Sequence, residues 1–167
     1  AGRWPWPRVA LATVIDFLQR APARVVAVDL SILEPDNRLL FRYGDGKMTG
    51  EESDAELVAS VAKARNVIML ADAVYEGVVG GELANKTDDW VSPPFKLGPA
   101  IERRPLLVPP VRALAEASAG IAHNWLVLDP DGPARRFAPF IRIGDKFVPS
   151  LGVAAALHAA NVRPEDV

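Results

Sequence analysis

Two short apolar runs, each placed after an amphipathic helix, constrain the fold most. Residues 7–19 repeat apolar side chains at three- and four-residue intervals, as in a helix with one buried face that begins at Pro7. Residues 25–28 then form a β-branched, almost wholly apolar run, which we interpret as a central parallel strand. The succession recurs with a helix ending near Arg65 and an apolar run at residues 67–70. This alternation predicts an α/β fold with a central, mainly parallel sheet and helices on both faces.

The start of the second helix is predicted from a capping pattern. Ser53 and Glu56 have the spacing of a capping box, in which the serine accepts from the third helical N–H group and the glutamate reaches back. Residues 31–52 before them form an irregular polar stretch, and Asp54 then lies in a first turn, where negative charge is favoured. We therefore expect a helix from Ser53 to about Arg65.

The rest of the chain predicts one long excursion followed by shorter elements. No periodicity holds in residues 73–105, which we expect to form an irregular excursion within a single domain of residues 1–167. The later patterns predict, in order, a short helix at 110–118, a strand at 125–128, a turn at Asp129-Pro130-Asp131-Gly132, an antiparallel hairpin at 137–148 around Gly144-Asp145, and a last helix from Pro149 or Ser150 to Asn161. The predicted fold class is three-layer α/β with this hairpin near the C-terminal part.

Composition and motif spacing exclude several function classes. The 167 residues include no cysteine, which excludes a disulfide framework, a thiolate metal site and a cysteine nucleophile. A net charge of −2 creates no field that would attract nucleic acid, and no run approaches the roughly 18 apolar residues of a membrane span. Ser150 has no histidine at a spacing diagnostic of a catalytic triad, and no glycine loop has a phosphate-binding pattern. We expect a soluble, non-enzymatic domain of a longer protein, without a cofactor.

Four residues are predicted to line a ligand pocket: Asp29, Glu34, His123 and Arg135. Asp29 follows the first strand, and open α/β sheets bind ligands at the carboxyl ends of their strands. Glu34 can converge on it, His123 titrates near physiological pH, and Arg135 can hold a carboxylate or phosphate by two hydrogen bonds. Structural roles stay open: Asp29 can tie down the following loop, His123 can be a structural hydrogen-bonding group, and Arg135 can pair internally or lie in solvent.

Two other functions are compatible with these residue types. Asp29, Glu34 and Asp54 could together hold a hard cation such as Ca²⁺ or Mg²⁺, and the chain would then be a metal-dependent hydrolase. Alternatively, the apolar stripe of the first or the last helix could pack across a symmetric dimer, and the chain would then be a ligand-independent dimerisation module. Bound metal in the purified protein would support the first, and tight self-association without any response to small molecules would support the second.

Five short motifs occur in order along the chain. They are Trp4-Pro5-Trp6-Pro7-Arg8 at a helix start, Val25-Val26-Ala27-Val28-Asp29 followed by Glu34-Pro35, Asp54 at a helix start, Asp131-Gly132 with Arg135-Arg136, and Pro149-Ser150 before an alanine-rich helix. Together they resemble the second class of CHASE domains, and the similarity extends from Arg3 to about Ala160.

The resemblance implies a role rather than a chemistry. CHASE domains of this class are extracytoplasmic sensing modules of bacterial adenylate cyclases, histidine kinases and serine/threonine kinases. For this chain, the resemblance implies a position outside the cytoplasmic membrane, in a parent protein anchored by flanking segments, with an unknown small-molecule ligand. The helices after Pro7 and Pro149 are then expected to carry the signal, and one of them to pack in a homodimer. No nucleic-acid partner is expected.

Overall fold

The computed structural model describes residues 5–74 and 94–167. In chain order the elements are α1 (Arg8–Arg20), β1 (Val26–Val28), β2 (Phe41–Tyr43), β3 (Gly46–Met48), α2 (Gly50–Ala64), β4 (Val67–Val74), β5 (Glu102–Arg103), β6 (Leu106–Val108), α3 (Arg112–Ala117), β7 (Gly120–His123), β8 (Phe140–Ile143), β9 (Lys146–Pro149), α4 (Leu151–Ala159) and a 3₁₀ turn (Pro164–Asp166). Residues 75–93, the larger part of the predicted excursion, lie outside the described residues. No helix in the described part is both long and apolar enough to cross a bilayer.

Strand β4 is the centre of the main sheet. It pairs in parallel with β1 on one side and with β7, and its last three residues pair antiparallel with β6. The predicted strand at residues 67–70 is therefore confirmed and extends to Val74. The prediction of a parallel strand at residues 25–28 is confirmed by β1, and among the described strands only β4 pairs with it. Apolar residues on a strand report how its faces are covered, and they do not report how many strands flank it.

Helices cover both faces of this sheet, as predicted. On one face, α1, α2 and α3 pack against the start of β4 through a core that includes Ile15, Leu57 and Leu114. On the other face, α4 packs through Ala154 against Ile68 and Ala122. The mixed α/β class with a mainly parallel sheet is therefore confirmed.

Helix α2 begins one turn earlier than predicted. Thr49 is its N-cap: the Thr49 N–H group donates to Glu52 Oε2 at 2.7 Å, and the Glu52 N–H group donates to Thr49 Oγ1 at 3.2 Å. Ser53 is instead fully buried inside the helix and accepts the Val9 N–H group at 2.9 Å. Both Thr49 and Ser53 have a glutamate three residues on, so tertiary packing decides which caps. The prediction of Asp54 in the first turn is wrong for the same reason.

Two other strand predictions are also corrected. The stretch predicted to be irregular, residues 31–52, contains the β2–β3 hairpin, whose turn residue Gly44 has a φ of 59°. The strand predicted at 125–128 lies earlier, at β7, and Leu126 forms only a single bridge, to Phe137. Hydrophobicity alone does not separate the two segments. Ala122 packs with Ile68 of β4 and Ala154 of α4, and a Cβ at residue 120 would lie 3.4 Å from Ile68 Cδ1, whereas residues 126–128 are exposed.

The predicted C-terminal elements are confirmed. Strands β8 and β9 form the antiparallel hairpin around Gly144, whose φ is 60°, and β5 adds in parallel to β8. In the predicted turn, the Gly132 N–H group donates to the Asp129 carbonyl at 2.8 Å. Ser150 caps α4 by accepting the Val153 N–H group. The small sheet packs on the second half of the main sheet through Ile141 and Val148.

Candidate ligand-binding edge of the parallel sheet

Polar side chains gather where the parallel strands end. Asp29 follows β1 and Asn124 follows β7, and the Asn124 amide nitrogen donates to Asp29 Oδ1 at 3.0 Å. Beside this pair, Ser31 Oγ donates to Asp72 Oδ1 at 2.9 Å, just beyond the parallel part of β4. We call these four residues the edge cluster. It lies at the carboxyl ends of the strands, which is where open α/β sheets bind ligands.

An apolar cavity opens between α1 and β1, next to Asp29. Its volume is about 230 Å³, and α1 contributes Leu11, Val14 and Leu18 to its wall. Asp29 is the only charged residue among the twelve that line it. Asp29 is also exposed, and it marks the solvent-facing rim of this space. We call this space the α1–β1 cavity.

The outer edge of β1 borders the same cavity. The Val26 N–H group donates to the Asn66 carbonyl at 3.0 Å, so the polar groups of Val26 face β4. Because these groups alternate along a strand, the N–H and C=O groups of Ala27 face the opposite edge. No strand in the described part of the chain pairs there. Ala27 lines the cavity and offers it one main-chain donor and one acceptor.

His123 lies at the end of β7 and is fully buried. It is in register with Ala71 of β4, and its Nδ1 accepts the Trp125 N–H group at 2.9 Å. The proton of the neutral ring is therefore on Nε2, which has no hydrogen-bond partner among the described residues. Burial lowers the pKa of His123 to about 4. At neutral pH the side chain is an uncharged acceptor that holds the segment after β7 in place.

Trp125 continues this connection to the small sheet. Its indole nitrogen donates to Glu102 Oε1 at 3.0 Å, and the guanidinium of Arg104 lies 3.7 Å from the centroid of the ring. Glu102 of β5 and Arg104, the residue after it, are thereby tied to the segment that follows β7. Side chains of β7, of the segment after it and of the β5 region therefore hold this side of the edge in place.

Glu34 lines a different cleft, at the start of α1. This polar cleft of about 220 Å³ is also lined by Arg8, Asp36 and Arg38. Asp54 lies beside it, accepts the Asp36 N–H group at 2.8 Å and is 3.7 Å from Arg8 Nε. Asp54 thus fixes the loop before α2.

The alternative metal site at Asp29, Glu34 and Asp54 does not form among the described residues. Asp29 lines the α1–β1 cavity, Glu34 lines the polar cleft, and Asp54 is engaged with Arg8 and Asp36. Within residues 5–74 and 94–167, no three histidine, aspartate or glutamate side chains are grouped so that they could hold a metal ion. The carboxylate–metal hydrolase has no support in this geometry.

Arg135 is engaged in the turn that precedes it. Its guanidinium donates twice to Asp131, at 2.7 Å each, and once to Asp129, at 3.2 Å. These hydrogen bonds hold the pKa of Asp131 below its ordinary value. The internal partner of Arg135 is thus the turn, and it is not Asp29. Of the four predicted pocket residues, the structure brings only Asp29 and His123 to the same edge of the sheet.

The family-model comparison agrees with the five sequence motifs. The model described as CHASE2 domain matches residues 1–166, essentially the whole chain. The chain is a CHASE2 domain. This is a family of sensor domains in signalling proteins, sensory rather than catalytic and in general extracytoplasmic. Comparison with curated proteins and with solved structures gave no match.

Sequence reasoning found only part of the edge of this CHASE2 domain. The position of Asp29 after an apolar run was a sufficient signal, but Ser31, Asp72 and Asn124 were missed. Asp72 was missed because the predicted strand ended at Leu70. Asn124 was missed because the strand was predicted at residues 125–128 and not at the position of β7. The small residues Gly120 and Ala122 on either side of Ile121 are the signal that could have located β7 and, with it, Asn124.

Proposed function

We propose that this CHASE2 domain is the extracytoplasmic sensing part of a bacterial membrane-bound receptor whose output is an adenylate cyclase, a histidine kinase or a serine/threonine kinase. The domain binds a small ligand and acts without catalysis of its own. The observation that carries the proposal is the α1–β1 cavity, because one helix forms its wall and Asp29 forms its rim.

The cavity is lined by both α1 and β1, so a bound ligand can change the position of α1. A ligand in the cavity contacts Leu11, Val14 and Leu18 of α1 as well as β1. It shifts the position of α1 if its affinity differs between two arrangements of that helix, which is the condition for any ligand-driven switch. α1 and α4 then carry the change to the flanking segments of the receptor.

The four predicted ligand residues take different roles in this proposal. Asp29 contacts the ligand, and His123 positions the edge by accepting the Trp125 N–H group. Ligand contacts by Glu34 and Arg135 stay predictions, because Glu34 lines a separate cleft and Arg135 is engaged by Asp129 and Asp131.

Thermal unfolding with a panel of small molecules tests binding. The panel contains amines, carboxylates, phosphate, neutral metabolites and divalent cations, with a chelator control. A ligand at 100 times its Kd adds about 2.7 kcal/mol to the free energy of unfolding, which raises the Tm of a domain of this size by about 5–10 °C. Val14→Trp, which fills the cavity, should abolish the rise. Phe17→Trp, on the same helix but outside the cavity lining, should retain it. A panel without any rise would contradict ligand sensing.

Transmission is tested with spin labels. The chain contains no cysteine, so Arg20→Cys and Ala156→Cys place one label on an exposed position of α1 and one on α4. We expect the panel molecule that raises the Tm to shift the distance distribution between the labels. An unchanged distribution at saturation would refute transmission through these helices.

Dimerisation is the second candidate function, and one observation favours it. Val14 and Phe17 on α1 are 50% and 60% exposed, which leaves an apolar face on this helix. Sedimentation velocity should detect a dimer that Phe17→Glu dissociates if this face joins two copies. A monomer at all concentrations would remove this candidate.

A further inference from the structure

The α1–β1 cavity combines an apolar wall with a single negative charge, and this combination specifies a class of ligand. We infer that the cavity binds a small primary amine with an apolar body, and that the ammonium group lies against Asp29. This inference rests on the proposed function and adds the chemical class of the ligand.

The wall selects the body of the ligand. Eleven of the twelve lining residues are apolar, and they come from α1, from β1 and from the core beneath them. Val26 and Val28 pack toward this core, so the alternation along β1 turns the Ala27 side chain to the other face, and Ala27 lines the cavity with its main chain. A polar body would leave its hydrogen-bonding groups unsatisfied against this wall.

The rim selects the head group. Asp29 Oδ1 already accepts the Asn124 amide, while Oδ2 has no partner among the described residues. An ammonium group has three donors and no acceptor, so it can donate to Oδ2 and to water at this exposed position. A carboxylate ligand would instead meet the like charge of Asp29.

The volume limits the size of the ligand. About 230 Å³ is below the roughly 300–1,000 Å³ of cavities that hold drug-sized molecules. The ligand class is therefore small, with one ring or a short branched chain and a terminal amine. 2-Phenylethylamine is a suitable probe of this class, with 2-phenylethanol and phenylacetate as its neutral and anionic counterparts.

Calorimetric titration of the three probes tests the inference on the wild-type chain and on Asp29→Asn, which keeps the shape and the acceptor for Asn124. We expect 2-phenylethylamine to bind the wild type and to bind Asp29→Asn about tenfold more weakly, the loss of one charge-assisted contact. The affinity for 2-phenylethanol should be the same in both chains, and phenylacetate should not bind the wild type. Asp145→Asn removes an exposed carboxylate from the β8–β9 turn and should bind the amine as the wild type does.

The outcomes separate the ligand class from the proposed function. If 2-phenylethylamine and 2-phenylethanol bind equally well and Asp29→Asn changes neither affinity, the amine class is wrong, whereas a ligand cavity that Val14→Trp closes still stands. If no probe binds, the amine class is overturned. If, in addition, sedimentation shows a dimer that Val14→Trp disrupts, a second copy covers the cavity and the proposed sensing site is overturned as well.

Discussion

The two outer strands of the parallel sheet differ in how they are enclosed. Both β1 and β7 pair with β4, and both are followed by a polar residue of the edge cluster. On the open flank, defined as β1 with the α1–β1 cavity, Ala27 is exposed and no described strand covers the outer edge. On the closed flank, defined as β7 with His123 and Trp125, residues 121–123 are buried and a bridge joins His123 to Ser150.

This difference separates the part of the sheet that can respond from the part that gives it support. Local stability follows from buried contacts and tertiary bonds, and binding regions are usually drawn from the less stable parts of a structure. The closed flank fixes Asn124, which in turn orients Asp29 on the open flank. The closed flank therefore positions Asp29, and under the proposed function the open flank is where a ligand would act on α1.

The largest expected effect compares side-chain truncation on the two flanks. Ile141 is fully buried in the cluster behind β7. Ile141→Ala should lower the free energy of unfolding of the domain by about 3 kcal/mol, because the surrounding side chains cannot fill the space left behind. Val28→Ala, in the partly open wall of the α1–β1 cavity, should cost about 1 kcal/mol. Urea denaturation measures both. Equal losses would show that the two flanks are equally well packed.

Acid should weaken the closed flank. Burial lowers the pKa of His123 to about 4, from 6.5 for the exposed side chain. Because the folded state disfavours the charged ring, its contribution to stability is complete above pH 6.5 and is lost as the pH falls toward 4. Between pH 6.5 and 5 this loss amounts to about 1.5 kcal/mol. Between these two pH values, the free energy of unfolding measured by urea denaturation should fall less in His123→Leu than in the wild type, and the difference should equal this loss. Parallel pH profiles would contradict a neutral buried histidine.

The smallest expected effect concerns the link between the flanks. Asn124→Ala removes the amide that donates to Asp29 and should cost about 0.5–1 kcal/mol, because the bond is exposed and water replaces it. The same variant should weaken any ligand that the thermal panel identifies, since Asp29 loses its orientation. Arg135→Ala is the matched control: its bonds lie within an exposed turn, so ligand affinity should not change. A drop in affinity in Arg135→Ala would show that its turn contributes to the site.

The elements that the sequence predicted well are those with a strong local signal. The helix at 7–19, the strand at 67–70 and the hairpin around Gly144 each combine a regular hydrophobic period with a stop or turn residue, and each is confirmed. The start of α2 and the position of β7 were misplaced because two segments had equivalent local signals. The burial of Ser53 decided that Thr49 caps α2, and the packing of Ala122 on α4 decided that the strand lies at β7.

The site shows the same limit more strongly. Asp29 was found because its position follows from a strand end, which is a local property. The convergence considered for Asp29, Glu34 and Asp54 does not occur, since Asp29 bonds to Asn124, Asp54 bonds to the Asp36 N–H group, and Glu34 lines a separate cleft. Spacing along the chain carries no information about contacts between residues that are 95 positions apart, such as Asn124 and Asp29.

The sequence by itself determined the α/β class, the helices that cover the sheet and the family, because hydrophobic period, turn residues and short motifs are written along the chain. Only the tertiary structure decided that β4 is the one described strand that pairs with β1, that a cavity opens beside β1 and that His123 is buried without charge. These properties depend on which surfaces meet. Two strands with similar composition can be enclosed or open according to what packs beside them, and that is set by the whole fold.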